Sequence, residues 1–207
     1  ALALNEVQNS RFRKGFQTIS YAPHFISTVV LCGMLTLYLS PSSGIINKFI
    51  EILSGSNKNF LQDPAMFKWI YVLSGIWQEM GWGSIIYFAT LSGVDRSLLE
   101  AAEIDGANRF QKIWYINVPV LIPTIIILLI LQCGSLLSVG YEKVYLLQNT
   151  TNLSGSEVIS TYVYKVGLEQ ADFSFGAAAD LFNSVINSTI LILANFIAKR
   201  TTDQGLF

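Results

Sequence analysis

The stretch LEAAEIDGANRF, residues 99–110, sets four charged side chains and one glycine between two long apolar runs. Upstream stands WQEMGWGSIIYFATL (77–91); downstream stands VPVLIPTIIILLILQCGSLLSV (118–139), which has no charged side chain. Asp95 is placed to cap a helix over Arg96–Ile104. Gly106 is placed to end it, because glycine takes the left-handed C′ conformation without a Cβ penalty. Asn108 then caps a second short helix in which Phe110, Ile113 and Trp114 share a face. Pro119 and Pro123 open the next apolar run, where proline in a first turn costs little.

The flanking runs are part of a general bias. The chain has 207 residues, 52% of them hydrophobic and 13% charged, with mean hydropathy +0.47. Soluble domains carry about 25% charged residues, so much of this surface must face something other than water. Segments 22–39, 67–91, 118–139 and 175–198 approach or exceed the ~20 residues that a helix needs to cross a bilayer. The reading is a single all-α polytopic transmembrane helix bundle over residues 1–207. A net charge of −1 gives no footprint for nucleic acid. Cys32 and Cys133 lie inside apolar runs and read as small hydrophobes. With His24 the only histidine, no His-based metal cluster or catalytic triad can be assembled. No signal-peptide pattern opens the chain, and its start on Ala1 predicts that the beginning of a longer protein is missing.

Lysine and arginine counts orient the bundle. Arg11, Arg13, Lys14, Arg96, Arg109, Lys112, Lys199 and Arg200 fall on one side, and Lys48, Lys58, Lys68, Lys143 and Lys165 on the other. This puts both ends and the loop 95–117 in the cytoplasm. In the outer loops, Ile45, Phe49 and Ile52 repeat at helical spacing, as do Val158, Tyr162 and Val166. Ser156 is placed to cap the second of these helices and Gly167 to end it. Either an interfacial amphipathic helix or an ordinary packed one fits both. Asn149–Ser154 reads as a polar turn. The cytoplasmic loop balances its charges, unlike a basic segment made for anionic headgroups. Its alanines allow another backbone to come close, so a docking helix and an ordinary membrane loop both remain open on the residues alone.

Glu100-Ala101-Ala102, then Asp105-Gly106-Ala107, then Ile116-Asn117-Val118-Pro119 resembles the EAA motif of the permease subunits of bacterial ATP-binding-cassette importers. Val118 stands where leucine is usual. YAPHFIS, WQEMGWGSIIYFATL, YVYKVGLEQADFSFGAAADLFNSVIN and NFIAKR are similar to the carbohydrate-uptake branch, and within it to the subgroup serving oligosaccharide and polysaccharide-fragment importers. The resemblance implies that loop 95–117 holds a coupling helix seated in an ATPase subunit, with Glu100, Ala101, Ala102, Asp105, Gly106 and Ala107 at its core. It implies two cytoplasmic ATPase subunits, a second similar permease and an extracellular or periplasmic solute-binding protein. Such permeases commonly have about six spans of ~20 residues, against about four here, which again implies a missing N-terminal part.

No G-x-x-x-x-G-K-[ST] loop occurs, so the resemblance implies no cofactor in this chain, with ATP and magnesium on the partner ATPase. No catalytic set is expected. The candidates for a substrate pathway are the polar and aromatic groups at mid-membrane depth. In the second span these are Trp77, Gln78, Glu79 and Trp82; in the fourth they are Asp180, Asn183 and Asn187, spaced along one stripe. Aromatic faces beside amides and carboxylates suit a sugar. Interhelical hydrogen bonding explains such a stripe equally well.

Overall fold

The computed structural model describes residues 1–7, 9–55, 57–202 and 205–206, and among them every regular element is helical. The chain forms two compact units. One contains Ala1–Pro23, Glu79–Leu136 and Ile186–Phe207; the other contains His24–Gln78 and Leu137–Val185. Each is therefore assembled from segments far apart in sequence, and two long helices, Pro64–Ser92 and Phe173–Thr202, contribute to both.

Arg109–Cys133 and Phe173–Thr202 are long and apolar enough to cross a membrane, and a third span is counted if a broken pair in the N-terminal region is joined. Only 17% and 6% of the most apolar windows of those two helices are buried. Most of their apolar side chains therefore have no protein to cover them here, as a lipid-facing surface requires. Pro64–Ser92 has the length, at 29 residues, with Gln78 and Glu79 interrupting its apolar run.

The expectation of one continuous helix over 22–39 is corrected. Ala22–Phe25 is a tight 3₁₀ turn, and an 11-residue helix, Thr28–Tyr38, starts afresh. Ser27 causes the break: its backbone is extended and its hydroxyl accepts the Val30 amide at 3.4 Å, capping the new helix. Gln78 Nε2 donates to the freed Ile26 carbonyl at 2.8 Å. The fourth apolar segment extends to Phe173–Thr202.

In the first unit, Leu91, Leu121 and Ile130 are buried, and the Thr90 and Thr124 hydroxyls meet at 3.1 Å. A Cβ on Gly81 would lie 1.9 Å from the Ser20 carbonyl oxygen, so two backbones touch there. In the second unit the core is Cys32, Phe67, Val144 and Leu147, flanked by Leu35, Leu61, Tyr71, Val139 and Val158.

Segments 44–55 and 149–169 hold short helices. Ile45–Ser54 is a helix ended by Gly55 at φ +65°, as its spacing predicts. The second expectation is corrected at both ends. Ser156 is not a cap; its buried hydroxyl donates to Asn152 Oδ1 at 3.0 Å. The helix starts at Ile159, where Thr161 Oγ1 accepts the Val158 amide. Gly167 does not end it either. A π-helical stretch runs on through Lys165–Glu169, and a Cβ on Gly167 would come within 3.1 Å of Gly176 Cα. The polar turn 149–154 is an interior anchor: Asn152 is fully buried and its Nδ2 bonds the Leu61 and Leu147 carbonyls at 2.8 and 3.1 Å.

Candidate functional site

The helix Arg96–Ile104 is closed by its own sequence at both ends. Asp95 Oδ1 accepts the Ser97 amide at 3.0 Å. At the other end Gly106 sits at φ +77°, its amide donating to Glu103 O at 3.0 Å and the Ala107 amide to Ala102 O at 2.9 Å. These two bonds form a Schellman closure, which answers carbonyls that a helix end otherwise leaves bare. Immediately beyond, Asn108 Oδ1 accepts the Gln111 amide at 2.9 Å while Gln111 Oε1 accepts the Asn108 amide at 2.7 Å. This is a reciprocal capping box built with Asn and Gln. Lys112 Nζ then reaches back to Glu103 Oε1 at 2.6 Å and joins the two helices.

All six motif residues lie on this framework, and its apolar edge is bare. Ile104 is 87% and Phe110 84% exposed, with Leu98 and Trp114 also open. Local hydrogen bonds fix the shape of the loop, while its hydrophobic side chains have nothing beneath them.

The part of the loop expected to be a separate short helix followed by a new span is corrected. From Arg109 the helix runs unbroken to Cys133. It passes through a π-helical turn, Ile113–Asn117, in which the Val118 amide bonds Ile113 O, five residues back. Pro119 follows at once, so it is not opening a helix. The widened turn gives the proline ring room at a point where an α-helical register would press it against a carbonyl. The expected end at 139 moves back to Cys133, with Gly134 as the cap.

The burial of Asn117, at the end of this turn, was not foreseen from its place in the motif. The residue is fully buried, and neither its Nδ2 nor its Oδ1 has a hydrogen-bond partner among the described residues. A lone amide between Ile116 and Val118, both apolar, is the signal that could have found it.

Electrostatics reinforce the caps. The Ser97 backbone and side chain, both hydrogen-bonded to Asp95, hold its carboxyl below the ordinary value; the Lys112 ammonium does the same for Glu103. A lowered folded-state pKa contributes stability that is complete above the unfolded value and is lost as pH falls through the folded one. Acidification to below the ordinary aspartate range should therefore fray the start of Arg96–Ile104. Amide exchange at Ser97, corrected for its intrinsic pH dependence, is expected to accelerate there. In Asp95→Asn, which keeps an accepting oxygen, that acceleration should vanish; if it persists, Asp95 is not the group responsible.

The expected pathway residues are divided between the two units. Trp77 and Gln78 belong to one unit, Glu79 and Trp82 to the other; Asp180 and Asn183 likewise part from Asn187. Trp77 lines an apolar cleft with Leu31, Leu35 and Leu73, and Gln78 is used in bracing Ile26. Glu79, Trp82 and Asn187 are each engaged in a contact of their own. Asp180 is exposed on the helix Phe173–Thr202. Asn183 keeps a buried Oδ1 without a donor among the described residues.

The chain is, over its described residues, a helical membrane protein carrying a self-closed loop helix with a bare apolar edge. It belongs to the family of binding-protein-dependent transport system inner membrane components, which it matches over residues 1–203. It is 41% identical to Protein LplB of Bacillus subtilis over all 207 residues, covering 65% of that protein. It is also 41% identical to the polygalacturonan/rhamnogalacturonan transport system permease protein YteP of the same organism, covering 64% of it. The chain thus spans just under two thirds of these curated relatives. Among solved structures it is similar to a bacterial alginate ABC transporter in complex with an alginate pentasaccharide-bound periplasmic protein. That match has a TM-score of 0.95 and 40% identity, and covers 99% of this chain and 71% of the other.

Proposed function

We propose that this chain is the permease part of an ATP-driven, binding-protein-dependent importer that moves oligosaccharides by alternating access, and that it catalyses no covalent chemistry itself. The observation that carries the reading is the loop helix Arg96–Ile104, closed by its own caps with Ile104 and Phe110 bare. A surface of that kind suits insertion into a groove on a cytoplasmic ATPase subunit, the partner that would hold ATP and magnesium. Two such subunits, a second permease and a solute-binding protein would complete the machine. The cytoplasmic location of the loop and of both ends follows from the lysine and arginine bias. A change in nucleotide state at the ATPase would bias the spans between two arrangements, as a ligand shifts a two-state element.

The sugar assignment draws support from relatives whose names specify polygalacturonan/rhamnogalacturonan and alginate. Asn183 offers a buried acceptor that a sugar hydroxyl could satisfy. The other pathway candidates, Trp77, Gln78, Glu79, Trp82, Asp180 and Asn187, stay attached to this reading as groups to be tested by substitution.

Glu100→Arg and Gly106→Pro test the coupling assignment in the assembled transporter. Both are expected to abolish co-purification of the ATPase subunit and uptake driven by it. Retention of both in the Glu100→Arg variant would return the loop to an ordinary membrane connection. Purified solute-binding protein that takes amino acids and no oligosaccharide would overturn the substrate class alone.

A further inference from the structure

The near-neutral charge of the loop hides a segregation that only the folded chain reveals. A cleft of about 520 Å³ opens in the first unit, between the N-terminal segment, the end of Pro64–Ser92 and the loop. Arg13, Arg96, Arg109 and Lys112 line it, against the two carboxylates Glu6 and Glu103. The remaining acids of the loop, Asp95, Glu100 and Asp105, are not among its walls. Glu103 is already engaged by Lys112. Among the described residues, no carboxylate lies within ion-pair distance of Arg13, Arg96 or Arg109. Arg13 is held in place by its guanidinium, 5.6 Å from the Phe88 ring centroid, an arrangement that orients the cation without neutralising it.

We propose that this cleft binds a phosphate group, contributed by an anionic phospholipid headgroup or by a free phosphorylated solute. Three arginines that line one cleft from separate segments offer forked donors that match phosphate oxygens. Like charges so placed repel one another until an anion joins them. The position agrees: Arg109 and Lys112 belong to the first turn of a helix apolar enough to cross a membrane, where its polar end meets the headgroup layer. Basic pockets at that level are suited to phosphate-bearing lipid.

The test uses the complete transporter in phosphatidylcholine nanodiscs, wild type beside Arg96→Gln/Arg109→Gln. In one arm inorganic phosphate is titrated and followed by phosphorus NMR. In the other, phosphatidylglycerol is mixed into the bilayer and the lipids retained through delipidation are counted by native mass spectrometry. Binding weaker by roughly tenfold or more in the variant, in either arm, is the expected result. The arm in which it occurs identifies the source. Arg96→Lys/Arg109→Lys keeps the charge and should retain most of the binding at an unchanged melting temperature. Equal binding by wild type and the glutamine variant in both arms overturns the proposal. So does a variant that loosens only the ATPase subunit, because the arginines then serve protein docking.

Discussion

Gly81→Ala is expected to be among the most damaging single-methyl additions in this chain. The new Cβ would lie 1.9 Å from the Ser20 carbonyl oxygen and 2.4 Å from its carbon, and backbone atoms cannot rotate aside. Overpacking of a tight contact costs about 1–3 kcal/mol, and one against backbone belongs at or above the top of that range. The purified protein should melt well below wild type and accumulate poorly in the membrane. Gly83 provides the control two residues away, since a Cβ there meets nothing within 4 Å. Gly83→Ala should be neutral or stabilising by roughly 0.5–1 kcal/mol, the usual gain over glycine inside a helix. Equal melting of the two variants would show that the helices do not approach at Gly81.

Asn117→Leu should act in the opposite direction. An unpartnered buried amide costs about 1–3 kcal/mol, and an apolar side chain of similar size removes that penalty. Thermal unfolding of the variant should therefore shift upward. Uptake should fall in the same protein, because an amide kept unsatisfied in one arrangement can find its partner in another. A variant that is no more stable than wild type would mean that the amide is already satisfied. Higher stability with full uptake would leave Asn117 without a role in the transport cycle.

The loop was legible because its signals are local. Asp95, Gly106 and Asn108 each act within a few residues of themselves, and all three sit where their chemistry requires. Element ends set by distant partners were not legible. Ser156 has the chemistry of a cap but is claimed by Asn152, and Gly167 looks like a terminator but serves a close approach to Gly176. Ser27 breaks an apolar run that hydropathy alone reads as continuous. The arginine cleft was invisible for a related reason. Summed charge ignores direction, and Arg13 lies far from Arg96 in sequence. The pathway residues were chosen by depth and polarity, and neither quantity specifies which neighbours a side chain meets.

The unbroken helix from Arg109 to Cys133 has a mechanical meaning. Its 25 residues make a rod roughly 37 Å long at the α-helical rise, which joins the foot of the loop to the far end of the span without a joint. Force applied beside Phe110 is not lost in a flexible connection, as it would be if the loop and the span were separate pieces. The helix's hydrogen-bond ladder departs from the α-helical pattern at the π turn Ile113–Asn117 and again at Pro123. Under the proposed function, an ATPase subunit that grips the loop would move the whole span as a lever.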